Sequence, residues 1–410
     1  MKKLVTLLVP LPCLALFVCV LAAPLFAADR VAIGSGDWMT DSNWYQNTKP
    51  AAGDNIFITS TSRTTNAVSL SLTTELGFTT SRLNIGGTGS TGVLVVGGAG
   101  VSAFSLTLGE RTYIGAGGTG AMMISTGASV YASQGYTGFV PLCVGGVTNT
   151  NVSLSSNGLL QIDGGAFYIS SSAAQQVQFA SQNTGSQTAT FIMNSGTFSS
   201  ALTASNIGFA AGGAANMYAR AYGMLYGGTF TIAGELCLGT ATATTGDYKA
   251  EFTVSSKMDT MHVGGSNATT STMLRLASKA TLTLDVDGIA GYTAADWENK
   301  KIVDVNGRFE VVDNATTELV INFENFSAWA DADAGDTITI TLVSYTTQTH
   351  GASAVYSVIG VDESLFSVGS LVWGANGLTI DVTYKGIPEP ALCAAMLGAL
   401  ALAFAARRRK

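Results

Sequence analysis

Through most of this chain apolar and polar residues alternate one by one, in short runs punctuated by glycine. Leu319-Val320-Ile321-Asn322-Phe323 and Thr337-Ile338-Thr339-Ile340-Thr341-Leu342-Val343 are two such runs. A period of two is the mark of a strand with one side buried. An aliphatic residue followed by glycine also recurs, at Ile85-Gly86, Ile114-Gly115, Val144-Gly145, Ile207-Gly208, Leu238-Gly239 and Val263-Gly264. The glycine spacings are 29, 30, 63, 31 and 25, and Phe179-Ala180 stands inside the long interval where a copy is missing. A second phrase runs beside the first: Gly164-Gly165-Ala166-Phe167, Ser195-Gly196-Thr197-Phe198 and Gly227-Gly228-Thr229-Phe230. Two phrases sharing one period predict a repeating unit of about 30 residues.

Each copy of the first phrase predicts which side chains are buried. The residue before the glycine is always aliphatic. The residue two before is mixed: Asn84, Tyr113, Cys143, Asn206, Cys237, His262. The first of these positions is therefore expected to face inward and the second outward. One such unit cannot bury its own aliphatics, so the units must stack. The expected fold is all-β: a parallel β-solenoid, or β-helix, over 55–287. Glycine at its corners allows positive φ without steric cost. After Asp287 the glycine phrase stops and acids become frequent, which predicts a small antiparallel β domain over 288–385.

Charge agrees with stacking. Charged residues make up 11% of the 410, and there is none from Thr112 to Ile162 or from Gly164 to Ala219. Equivalent positions in stacked coils lie about 4.8 Å apart. Like charges at that spacing repel, whereas hydroxyl and amide rows hydrogen-bond. A net charge of −7 argues against nucleic acid as a partner.

Candidate chemistry is sparse. Only His262 and His350 are present, which nearly excludes a histidine-based catalytic or metal cluster, and no cofactor is expected. The carboxylates of the repeat region are Glu75, Glu110, Asp163, Glu235, Asp247, Glu251, Asp259 and Asp285, the first four spread over many coils. A glycosidase needs two carboxylates about 5–10 Å apart. A polysaccharide-degrading enzyme, lyase or glycosidase, is the alternative to a non-enzymatic structural or adhesive role, and a deep acidic groove would mark it. Asp331, Asp333 and Asp336 read as an acidic turn. Of five cysteines, Cys143 and Cys237 lie in the body, three predicted coils apart. That separation, roughly 14 Å, is beyond the reach of a disulfide.

The two ends carry a different pattern. Lys2 and Lys3 precede an apolar run from Leu4 to Phe26, followed by Ala27, Ala28, Asp29 and Arg30. This predicts an export signal peptide over 1–28, recognised by the Sec machinery and cleaved after Ala27 or Ala28. At the other end, Pro388-Glu389-Pro390 precedes an uncharged stretch from Ala391 to Ala406, and then come Arg407, Arg408, Arg409 and Lys410. The prolines bar helix before Ala391. A transmembrane helix over 391–406 would rise roughly 24 Å. It spans a core of about 30 Å with local thinning or snorkelling arginines. The basic cluster belongs on the cytoplasmic side.

Pro-Glu-Pro, a short apolar helix and terminal arginines, in that order, resemble the PEP-CTERM sorting signal of Gram-negative bacteria. The resemblance covers 386–410. It implies processing by exosortase, a membrane enzyme, with Pro388, Glu389 and Pro390 as recognition element and Arg407, Arg408 and Arg409 as stop signal. It also implies a body outside the inner membrane, at the cell surface or in the extracellular matrix. Gly36-Asp37-Trp38 and Ser42-Asn43-Trp44, followed by Pro50 and Gly53-Asp54, resemble the opening of autotransporter-type β-helix passengers. That resemblance implies an N-terminal cap over 29–54 in which the paired tryptophans cover the first rung. The uncharged, hydroxyl- and amide-rich surface suits contact with extracellular polysaccharide.

Overall fold

The computed structural model describes residues 27–59, 67–132, 140–146, 155–170, 176–180, 186–202, 206–210, 219–240, 247–265 and 271–386. The chain winds as a parallel β-solenoid with three faces. Among the described residues the first face stacks eleven strands, from Asp29–Val31 to Thr347–His350. The second stacks eleven, from Gly36–Asp37 to Val355–Ile359. The third stacks nine in parallel, from Thr79-Thr80 to Thr337–Ser344. Ten ladder steps of about 4.8 Å make a rod of about 48 Å.

One apolar core runs the length of the rod. On the first face Ile58, Ile85, Ile114, Val144, Phe179, Phe209, Leu238, Leu276 and Val311 form one buried row. The coils differ in length, the one from Val311 to its ladder partner His350 being much longer than the one from Ile58 to Ile85. The second glycine phrase opens the third face. Phe167, Phe198 and Phe230 pair in register and stack with centroids 6.0 and 5.1 Å apart.

Three details of the first phrase differ from the sequence pattern. Phe209-Ala210, not Ile207-Gly208, continues the row from Phe179-Ala180. The two phenyl rings stack at 4.3 Å and 4°, which holds this register, and both alanines take the positive φ that glycine has at the other corners. Val263-Gly264 belongs to the third face, paired with Ile232. The position expected to face outward is buried in four coils: Tyr113, Cys143, Gln178 and Cys237.

The separate antiparallel domain expected over 288–385 is a correction too. The strands Lys301–Val305, Arg308–Val311, Glu318–Asn322, Thr337–Ser344, Thr347–His350 and Val355–Ile359 all continue the parallel ladders. Within 288–385 antiparallel strand pairing is confined to Gly377–Tyr384, which joins Thr337–Ser344, Phe366–Val368 and Val372–Trp373. The second glycine phrase is absent there, and the corner before the third face is built from insertions instead. The first insertion holds the helix Ala294–Asn299, capped reciprocally by Thr293 and Asp296. The second carries Trp329; this ring and Trp297 are both buried. Among the described residues no helix is long and apolar enough to cross a membrane, and the helix expected over 391–406 lies outside them.

Candidate functional surface

At the N-terminal end the first rung is tied down from Ala28 onward. Ala28 N donates to Asp54 Oδ1 at 3.2 Å, and Ala28 O accepts from Asn55 N at 2.9 Å. Asp54 also accepts from Arg30 Nε at 2.8 Å and Ala51 N at 2.8 Å. Ala27 is exposed. The candidate cleavage positions therefore sit next to the first strand, Asp29–Val31. Pro388, Glu389, Pro390, Arg407, Arg408 and Arg409 lie outside the described residues.

Trp38 and Trp44 are buried, packed edge to face at 5.0 Å, and Trp44 Nε1 donates to Trp38 O at 2.7 Å. A buried indole has no free face for a sugar. The pair instead closes the apolar end of the rod.

Cys143 and Cys237 are free. They occupy one register, Cys143 to Gln178 to Gly208 to Cys237, three ladder steps apart. Burial pushes both thiols up to about 12, so neither is a ready nucleophile.

Most carboxylates weighed from sequence are held by neighbours in adjacent coils. Arg82 Nε donates to Glu110 Oε2 at 2.8 Å, and this contact holds the Glu110 carboxyl below its ordinary range. Arg275 lies between Glu235, at 3.7 Å, and Glu310, at 3.0 Å. Arg220 pairs with Asp247 at 2.6 Å, and Lys249 pairs with Glu251. Asp163 accepts from Gln161 Nε2 at 2.5 Å and Asn194 Nδ2 at 2.6 Å. Asp285 differs: burial raises its carboxyl above the ordinary range, against the opposing hydrogen bond from Asn322. The pocket beside Lys279 encloses about 350 Å³, with Asp247, Glu318, Lys249 and Lys279 in its wall, so it mixes both signs of charge. Among the described residues no group of three or more His, Cys, Asp or Glu side chains is arranged to hold a metal ion. Asp331 and Asp336 instead accept backbone N–H groups, from Ala294 and Asp333, both at 2.8 Å.

One cluster had no sequence signal. His262 Nδ1 lies 2.9 Å from Asp304 Oδ2, and Ser344 donates to Asp304. Burial pushes the Asp304 carboxyl up, but the contacts from Ser344, His262 and Lys301 outweigh it and leave it below its ordinary value. His262 Nε2 lies 2.8 Å from Gly264 O. This is not a nucleophilic triad, because Ser344 meets the carboxylate and no imidazole nitrogen faces its hydroxyl. The three residues meet only because they share a row on consecutive coils.

That row extends along the third face. Thr107, Tyr131, Tyr168, Ser199, Thr231 and His262 occupy equivalent outward positions. A parallel row holds Ser129, Ala166, Thr197, Thr229 and Thr260. From Thr107 to Thr231 neither row contains a charge. Asp163 stands at the corner before Gly164, held by its two amide donors. Tyr131 and Tyr168 stack with centroids 4.9 Å apart and planes 18° from parallel. Comparison with protein-family models, with characterised proteins and with solved structures finds no match.

Proposed function

We propose that this protein is exported, sorted by its C-terminal Pro-Glu-Pro tail, and serves a structural and adhesive role at the cell surface or in the extracellular matrix. The observation that carries the reading is the long polar face of the solenoid, free of charge over five coils, on a rod whose ionisable groups largely neutralise each other. Such a body suits contact along a polymer more than chemistry at a point. The mixed-charge pocket and the paired carboxylates favour binding over polysaccharide cleavage. The export and sorting parts rest on Ala27 and Ala28 and on the tail motif from Pro388 to Arg409, with an exosortase-type enzyme and the Sec machinery as partners.

Intact mass and N-terminal sequencing of the protein from native cells, separated into membrane and medium, test the reading. The expected form begins near Ala28 and has lost the residues after Pro390. A membrane-bound form that keeps Arg407, Arg408 and Arg409 would overturn sorting by processing and confine the body to the periplasm.

A further inference from the structure

We infer that the strip around Tyr131 and Tyr168 on the third face is a binding site for a neutral polysaccharide chain running along the rod. The inference rests on the adhesive reading above and gives it a place and a ligand class. The two tyrosines stand one coil apart on the outer side of the sheet, Tyr131 being 38% exposed and Tyr168 half-buried. Their rings stack on each other along the rod. The next residues in the row are small, Thr107 beyond Tyr131 and Ser199 beyond Tyr168. Each outer ring face therefore opens onto a step in the row, with room for a sugar ring to lie against it. A tyrosine offers an apolar face and a polar tip at little cost in flexibility, which suits a sugar with one C–H-rich face and a rim of hydroxyls.

Beyond the tyrosines, Thr197, Ser199, Thr229 and Thr231 supply hydroxyls in two rows on alternate positions of consecutive strands. A hydroxyl both donates and accepts, so such rows match a sugar hydroxyl in either sense. The coils beneath are held rigid by the Phe167, Phe198 and Phe230 stack, so the spacing of the rows is preset. Charge selects the polymer. An anionic chain needs lysine or arginine along its path. The strip has none, it is bounded by Asp163 at the corner, and the whole chain carries −7. A neutral chain meets no such penalty.

The test is co-sedimentation of the detergent-solubilised full chain with insoluble cellulose, starch and curdlan, and with polygalacturonate beads as the anionic comparison. The wild type is expected to bind at least one neutral glucan and to leave the anionic beads unbound. Tyr131→Ala together with Tyr168→Ala should weaken binding by at least roughly tenfold, which is about 1.4 kcal/mol. Ser199→Arg, which fills the open ring face, should do the same. Tyr45→Ala, at an exposed tyrosine of the N-terminal cap, should leave binding unchanged. A circular-dichroism melt matching the wild type establishes that each variant is folded. Undiminished binding by both the double variant and Ser199→Arg would overturn the site and leave the adhesive reading standing. Failure of the wild type on every glucan would overturn both. Preference for the anionic beads would overturn the ligand class.

Discussion

At Gly145 the backbone has a φ of +59°, and a Cβ placed there would stand 1.9 Å from the carbonyl oxygen of Thr188 in the next coil. Gly86 and Gly115 repeat this geometry against Thr119 and Asn157, also at 1.9 Å. The corner glycine is thus required twice, for its φ and for the close approach of the coil above. Gly53 has a positive φ of +76° but nothing within 4 Å of a Cβ. Gly145→Ala is expected to cost at least about 2 kcal/mol, combining backbone strain with a backbone clash. Gly53→Ala should cost only about 1 kcal/mol. Urea denaturation midpoints compare the two, and equal losses would mean that coil stacking adds nothing at the corner. Sequence made the glycines visible as corners, but not the clash, because Thr188 lies in another coil. Ala180 and Ala210 show the limit of the pattern. They hold the same corner with φ of +48° and +49°; the spacing pointed to Ala180, but only pairing identifies Ala210 as an equivalent.

The strand Gln187–Ser200 presents opposite sides to core and solvent along its length. Phe191 is fully buried, whereas Ile192, next in sequence, lies on the outer side of the second face between Gln161 and Met224. Phe198, where the strand has turned onto the third face, meets Phe167, Phe191 and Phe230 with centroids 5.1 to 6.0 Å away. Phe198→Ala should cost about 3–5 kcal/mol, since a rigid ladder cannot collapse around the cavity. Ile192→Thr should cost under about 1 kcal/mol. Thermal or urea unfolding of the two variants measures the difference. The reverse order would place the register one residue off, which exchanges the inner and outer sides of the whole strand. The alternation that makes this contrast was plain in the sequence. The bend at Gly196 that carries one strand across two faces was not.

A rod of stacked coils has stability spread over nearest neighbours, and its ends are the weak points. One end is closed by Trp38 and Trp44, the other by the antiparallel strand Gly377–Tyr384 and its partners. Trp44→Ala should open the N-terminal end first. Amide hydrogen exchange is expected to speed up in peptides from 55–96 while peptides from 280–322 keep their protection. Uniform loss along the chain would show that the rod unfolds as one unit and that the cap does not act locally.

The sequence by itself determined the solenoid, the period of its repeat and the separation of the two cysteines. Each follows from regularities that are local or strictly repeated: alternation along a strand, glycine at a corner, one phrase recurring. Tertiary structure alone decided which face each phrase occupies, the two-residue slip that places Phe209 above Phe179, and the extension of the parallel coils past Asp287. It also decided that Tyr131 meets Tyr168, and that His262, Asp304 and Ser344 share a row. The physical reason is that the length of chain between ladder partners varies along the first face, from the short coil Ile58 to Ile85 to the long one Val311 to His350. With insertions at the corners, spacing no longer identifies the neighbour. Ring stacking and backbone pairing between coils do.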